Sequence, residues 1–248
     1  MKPAPHTLIV GGTRGIGREV VRQFLRAGHR LSVLGRRLSP ERGVISHPVD
    51  LADKAAVSMA LALALKQNGR LTNLVFLQRF RGEGDAWQGE LDVSLTATKL
   101  IIERLGDEFV RNRRGAPNSI VICGSNASRL VAGEQPVGYH AAKAALRQMA
   151  RYYACSLALR GIRVNCVTPG VVLKDEARQY YRENADLNSL YCRMTPLGRM
   201  GLPRDIADAV SFLCGPGAAF ITGQEIIVDG GLSLLWQASL GNALAKPS

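Results

Sequence analysis

Short apolar runs and longer amphipathic stretches take turns along this chain. Runs at residues 7–10, 31–34, 43–49, 71–77, 119–123, 163–167 and 225–228 are rich in Val, Ile and Leu and read as strands. Helical spacing of apolar residues occupies 18–27, 52–66, 91–109, 139–159 and 206–213. In the first of these helices Val20, Val21, Phe24 and Leu25 form the inward stripe, and Gly28 closes it. Such alternation predicts an α/β fold: one Rossmann-type domain over residues 1–248, a doubly wound parallel sheet with helices on both faces. Ligands are then expected at the carboxyl ends of the strands. Residues 173–199 depart from the pattern as a polar helical insertion, expected to cover a substrate.

Between the first strand and first helix lies Gly11-Gly12-Thr13-Arg14-Gly15-Ile16-Gly17. Glycines there permit a tight turn and let the backbone approach a pyrophosphate at the helix N-terminus. Where the second strand ends, a site for NAD would place a carboxylate; this chain has Gly35-Arg36-Arg37, and Arg14 lies inside the glycine turn. Guanidinium groups attract a 2′-phosphate that a carboxylate would repel, so the expected cofactor is NADP(H). Asp50, followed by Leu51, either accepts from an adenine amino group or caps a helix.

A second motif is Tyr139-His140-Ala141-Ala142-Lys143. Four residues make about one helical turn, so phenol and ammonium project from one face. A neighbouring ammonium stabilises phenolate and makes the phenol a better proton donor near neutral pH. Together with the glycine turn, the pair points to a redox enzyme. His140 is expected to pack or face solvent.

Composition narrows the setting. The formal charge is +12, with clusters at Arg36-Arg37, Arg79 to Arg81 and Arg111-Asn112-Arg113-Arg114. These read as solvated surface plus a phosphate-binding corner, or as a surface for an acidic partner such as an acyl-carrier protein. No nucleic-acid reader motif accompanies the charge, and no apolar run is long enough to span a membrane. The N-terminus lacks the apolar core of a signal peptide, and the five cysteines form no C-x-x-C pair. A reduced cytoplasm and no metal site are therefore expected.

The glycine turn, Asp50, Trp87, the Ser125 region, Tyr139 with Lys143, Pro169-Gly170, Pro196-Leu197-Gly198-Arg199 and Asp229-Gly230-Gly231 resemble the short-chain dehydrogenase/reductase family. The resemblance runs nearly end to end and is nearest to the β-ketoacyl-carrier-protein reductase type, whose members are usually tetramers that reduce a carbonyl with NADPH. It implies that Tyr139 protonates the carbonyl oxygen, Lys143 holds the nicotinamide ribose and Ser125 hydrogen-bonds the substrate oxygen, with Ser128 the second choice. Pro169, Gly170 and Val172 complete the implied cofactor contacts. A small-molecule or carrier-bound carbonyl substrate and a homo-oligomer, dimer or tetramer, follow from the same likeness. Enoyl reductases of the family separate tyrosine and lysine more widely, which favours a carbonyl over a carbon–carbon double bond.

Four positions depart from the family pattern. Phe76-Leu77-Gln78-Arg79 replaces Asn-Asn-Ala-Gly, and those bulky side chains are expected to reshape or obstruct the pocket. Ser94 stands for the asparagine that helps hold a proton-relay water, Lys174 for a threonine that contacts the carboxamide, and Val10 for a threonine before the first glycine. These losses keep two alternatives open: a degenerate member that binds a dinucleotide as sensor or scaffold, and an alcohol dehydrogenase running in the oxidative direction.

Overall fold

The computed structural model describes residues 4–110 and 118–245. The basic run Arg111-Asn112-Arg113-Arg114 and the first three residues lie outside the described residues. Seven strands, β1 (His6–Val10), β2 (Arg30–Gly35), β3 (Val44–Pro48), β4 (Asn73–Phe76), β5 (Asn118–Cys123), β6 (Ile162–Pro169) and β7 (Glu225–Val228), form one sheet in the order β3-β2-β1-β4-β5-β6-β7. Every pairing is parallel. Strand order reverses beside β1, which pairs with both β2 and β4, so the loops after β1 and β4 diverge and leave a crevice between them.

Strand side chains alternate between two cores. Leu8, Val10, Leu74, Phe76, Ile120 and Ile122 face helices α2 (Lys54–Asn68), α4 (Ala97–Leu105) and α5 (Val137–Ser156). Ile9, Val75 and Val121 point the other way, onto α1 (Gly15–Arg26) and α8 (Pro203–Cys214). Both faces are thus covered, as a parallel sheet requires. The inward stripe of α1 is Val20, Val21 and Phe24, with Leu25 half-buried at its rim.

Several boundaries differ from the pattern's expectation. Helix α1 begins at Gly15, so the end of the glycine motif is its first turn. The helix expected over 91–109 starts earlier as α3 (Ala86–Glu90), widens into a π-helical stretch at Leu91–Thr96 and stops at Leu105. Phe109 instead bridges Leu71, outside β4. The insertion contains α6 (Arg178–Glu183) and α7 (Ala185–Met194), and an unexpected α9 (Gln237–Ala245) packs near α7. Among the described residues no helix is long and apolar enough to cross a membrane.

His6, fully buried in β1, has its two ring nitrogens 2.8 Å from the Gly69 carbonyl and 2.9 Å from the Ser32 hydroxyl. Burial lowers its pKa from 6.5 to about 4. The folded chain therefore keeps His6 neutral where an unfolded chain would protonate it. Its contribution is complete above pH 6.5 and is lost progressively as pH falls towards 4. Thermal unfolding should show roughly 2 kcal/mol less stability at about pH 5 than at neutrality. His6→Gln should reduce that dependence.

Candidate active site

The crevice holds a cavity of about 890 Å³. One wall is the glycine turn. Gly11 has φ +86°, and a Cβ there would meet the Gln78 backbone nitrogen at 2.7 Å. At Gly17 a Cβ would sit 2.1 Å from the Gly11 carbonyl oxygen, so the helix start and turn close only without side chains. No side chain caps α1 and its first turn holds no acidic residue, which leaves its positive end turned to the cavity. Thr13, Arg14, Gly15 and Ile16 line the same wall.

The end of the cavity beside β2 is basic. Arg36 and Arg37 follow β2 and line the cavity, and Arg36 Nη2 donates to the Arg81 carbonyl at 2.8 Å, bridging the crevice. Asp50 and Leu51 also line it. Asp50 Oδ1 accepts from Ala52 N–H at 3.0 Å in a local turn, whereas the cap of α2 is Asp53. These groups fit a dinucleotide: a cradle that any Cβ would fill, an uncapped helix start, and two arginines beyond it.

Helix α5 carries another wall. Lys143 Nζ donates to the Cys123 carbonyl at 2.9 Å, which ties α5 to the end of β5, and the residue is buried, with 3% exposure. Tyr139 lies one turn earlier on the same wall, with Lys143 Nζ 5.6 Å from its ring centroid. His140 faces away and pins the preceding loop: its Nε2 accepts from Ala132 N–H at 2.9 Å and its Nδ1 lies 3.0 Å from the Pro136 carbonyl. Ser125 follows β5 and lines the cavity, its Oγ accepting from Ala127 N–H at 3.2 Å. Ser128 does not reach the cavity, and its hydroxyl is buried without a partner. Pro169, Gly170 and Val172 line the floor.

Two expectations need correction. Ser94 is fully buried in the π-helical stretch, its hydroxyl donates to the buried Glu90 carboxylate, and it does not line the cavity. Phe76 belongs to the core, so the lining that replaces the family's Asn-Asn-Ala-Gly begins at Leu77 and runs through Arg81. The cluster from Arg79 to Arg81 lines the cavity wall, with Arg81 exposed. Arg79 is the least expected: its Cζ lies 4.5 Å over the Tyr139 ring and its Nη2 donates to Gln135 Oε1 at 2.9 Å. Lys174 and Glu176 enter from the insertion and lie over Gly15. Burial, then Arg81 and Arg79, lowers the Lys174 pKa; burial, then Arg14 and Arg79, lowers that of Arg81.

A parallel sheet with a glycine turn at its switch point, facing a Tyr–Lys pair across one cavity, defines a dinucleotide-dependent oxidoreductase. A family model described as enoyl-(acyl carrier protein) reductase matches residues 10–233. The chain belongs to the short-chain dehydrogenase/reductase family, which binds nicotinamide dinucleotides. It is 34% identical over 234 residues to an inactive 2-(S)-hydroxypropyl-CoM dehydrogenase of Xanthobacter autotrophicus, covering 87% of this chain and 100% of that one. It is 28% identical over 244 residues to a 3-oxoacyl-acyl-carrier-protein reductase of Aggregatibacter actinomycetemcomitans, covering 91% and 98%. A solved oxidoreductase of the same family from Burkholderia thailandensis superposes with a TM-score of 0.82 at 30% identity, covering 99% of each chain.

Proposed function

We propose that this protein is an NADP(H)-dependent reductase that converts a carbonyl to an alcohol. The observation that carries the reading is the shared cavity: Tyr139 and Lys143 face the space that the glycine turn and Arg36-Arg37 enclose. Arg14, Gly15, Ile16 and Gly17 hold the diphosphate, Arg36 and Arg37 the 2′-phosphate, Asp50 and Leu51 the adenine, and Lys143 the nicotinamide ribose, with Pro169, Gly170 and Val172 beside the ring. Once bound, the reduced nicotinamide supplies hydride to the carbonyl carbon. Tyr139 gives its phenolic proton to the carbonyl oxygen, which Ser125 also binds through its hydroxyl hydrogen. Lys143, anchored on Cys123, stabilises the phenolate left behind. The insertion, residues 173–199, closes over the substrate from the Lys174 side.

The substrate is a small molecule, or an acyl group on a carrier protein, for which the +12 charge and the named carrier-protein reductase speak. A homo-oligomer in the cytoplasm completes the reading; the edge strand β7 is only half-buried and Phe220 and Trp236 stand exposed. The rival reading, a dinucleotide-binding sensor, is favoured by Arg79 stacked on the reactive phenol and by the inactive relative.

Calorimetric titration with NADPH and NADH tests the cofactor assignment. NADPH should bind tighter, and Arg36→Ala should weaken it about 10- to 100-fold while leaving NADH nearly unchanged, since a lost charge-assisted hydrogen bond costs about 1.5–3 kcal/mol. Equal binding of both cofactors would overturn the assignment.

A further inference from the structure

Cations and carboxylates both line the cavity, Asp92 and Glu176 among the latter. Arg81 and Lys174 share the Glu176 carboxylate as a counter-charge. Lys174 Cδ lies 3.4 Å from where a Gly15 side chain would begin, and Arg81 is close enough to Arg14 for the two to repel. Both also stand near Arg79. Arg79 is different. It is held on the other wall, by Gln135 from the loop before α5 and by the face of Tyr139. Its Nε is buried without a hydrogen-bond partner, and among the described residues no carboxylate pairs with it. A part-buried guanidinium with an unmet donor gains from an anion that pairs with it. Guanidinium groups bind oxyanions through paired N–H donors, and this one lies within 4.5 Å of the ring whose hydroxyl meets the substrate carbonyl.

We infer that Arg79 sets substrate specificity and that the substrate is a short oxo acid, its carboxylate paired with Arg79 while its carbonyl oxygen meets Tyr139 and Ser125. This rests on the reductase reading and narrows it: a free acid is favoured over a carrier-bound thioester, which brings no charge to this position. Arg79 then favours charged over neutral carbonyl substrates through a charge-assisted pair that only an anion completes.

The test uses acetoacetate and methyl acetoacetate, which share a keto group and differ by one charge. Each is titrated by calorimetry into full-length protein saturated with NADP⁺, where no hydride is available and binding is read without turnover. The acid should bind at least about tenfold more tightly than the ester. Arg79→Gln should erase that margin and Arg79→Lys retain part of it, with NADP⁺ affinity changed less than about threefold in either variant. Equal binding of acid and ester, no binding of the acid, or a preference that survives Arg79→Gln would overturn the inference and leave the reductase reading standing. A tenfold or larger loss of NADP⁺ affinity in Arg79→Gln would also overturn it, by placing the guanidinium on the cofactor. Failure of NADP⁺ itself to bind would remove both.

Discussion

Replacing Tyr139 with phenylalanine is expected to lower carbonyl reduction by about 10²- to 10⁴-fold, the usual worth of a positioned proton donor, while NADPH affinity stays within about twofold. The separation follows from where the groups sit. The phenol ring lies on the wall formed by α5, between Arg79 at 4.5 Å and Lys143 at 5.6 Å, whereas the cofactor's phosphates belong to the glycine turn and Arg36. Phenylalanine keeps the ring that Arg79 stacks upon and deletes only the hydroxyl. Steady-state rates and calorimetry on the same preparation check both halves. A fall in rate of less than tenfold would remove Tyr139 from the chemistry.

Gly17→Ala should have a comparably large effect by a different route. A Cβ there would lie 2.1 Å from the Gly11 carbonyl oxygen and 3.0 Å from Gly12 Cα, both backbone atoms of the turn that must hold the diphosphate. Neither can retreat freely, since Gly11 N–H is bonded to the Leu34 carbonyl at 2.8 Å and fixes the turn to β2. Overpacking of this kind costs roughly 1–3 kcal/mol and displaces the backbone donors from any anion. NADPH binding should become undetectable by calorimetry, and thermal denaturation should register the loss of stability. Binding retained within about tenfold would contradict the assigned role of the turn.

The strands were readable because a parallel strand buried on both faces favours consecutive apolar residues, as at 8–10 in β1 and 120–123 in β5. Helix ends were less readable. Gly15 and Gly17 suit a turn by propensity, yet the chain uses them as the first turn of α1, where packing on Gly11 outweighs their poor helix preference. Helix α9 has a small, mixed composition with a glycine in its middle, and no periodic stripe announced it. The glycine turn, Arg36-Arg37 and the Tyr–Lys pair could be placed around one cavity from spacing and fold class, because each lies at the carboxyl end of a strand or one turn into a helix. Arg79 could not. Its contact with Tyr139 joins positions sixty residues apart through an irregular segment whose path no local pattern specifies. Ser94 was assigned by likeness, although Glu90 stands one turn before it and takes its hydroxyl.

The central claim is that one cavity couples a bound cofactor to a proton on Tyr139. It is tested most directly by offering NADPH carrying deuterium at the transferred position, with a panel of ketones, oxo acids and oxo esters. NADPH should be consumed and an alcohol labelled at the carbinol carbon should form, and both should be lost when Tyr139→Phe replaces the wild type. Tight NADPH binding with no consumption across the panel would contradict it and leave a dinucleotide sensor in its place.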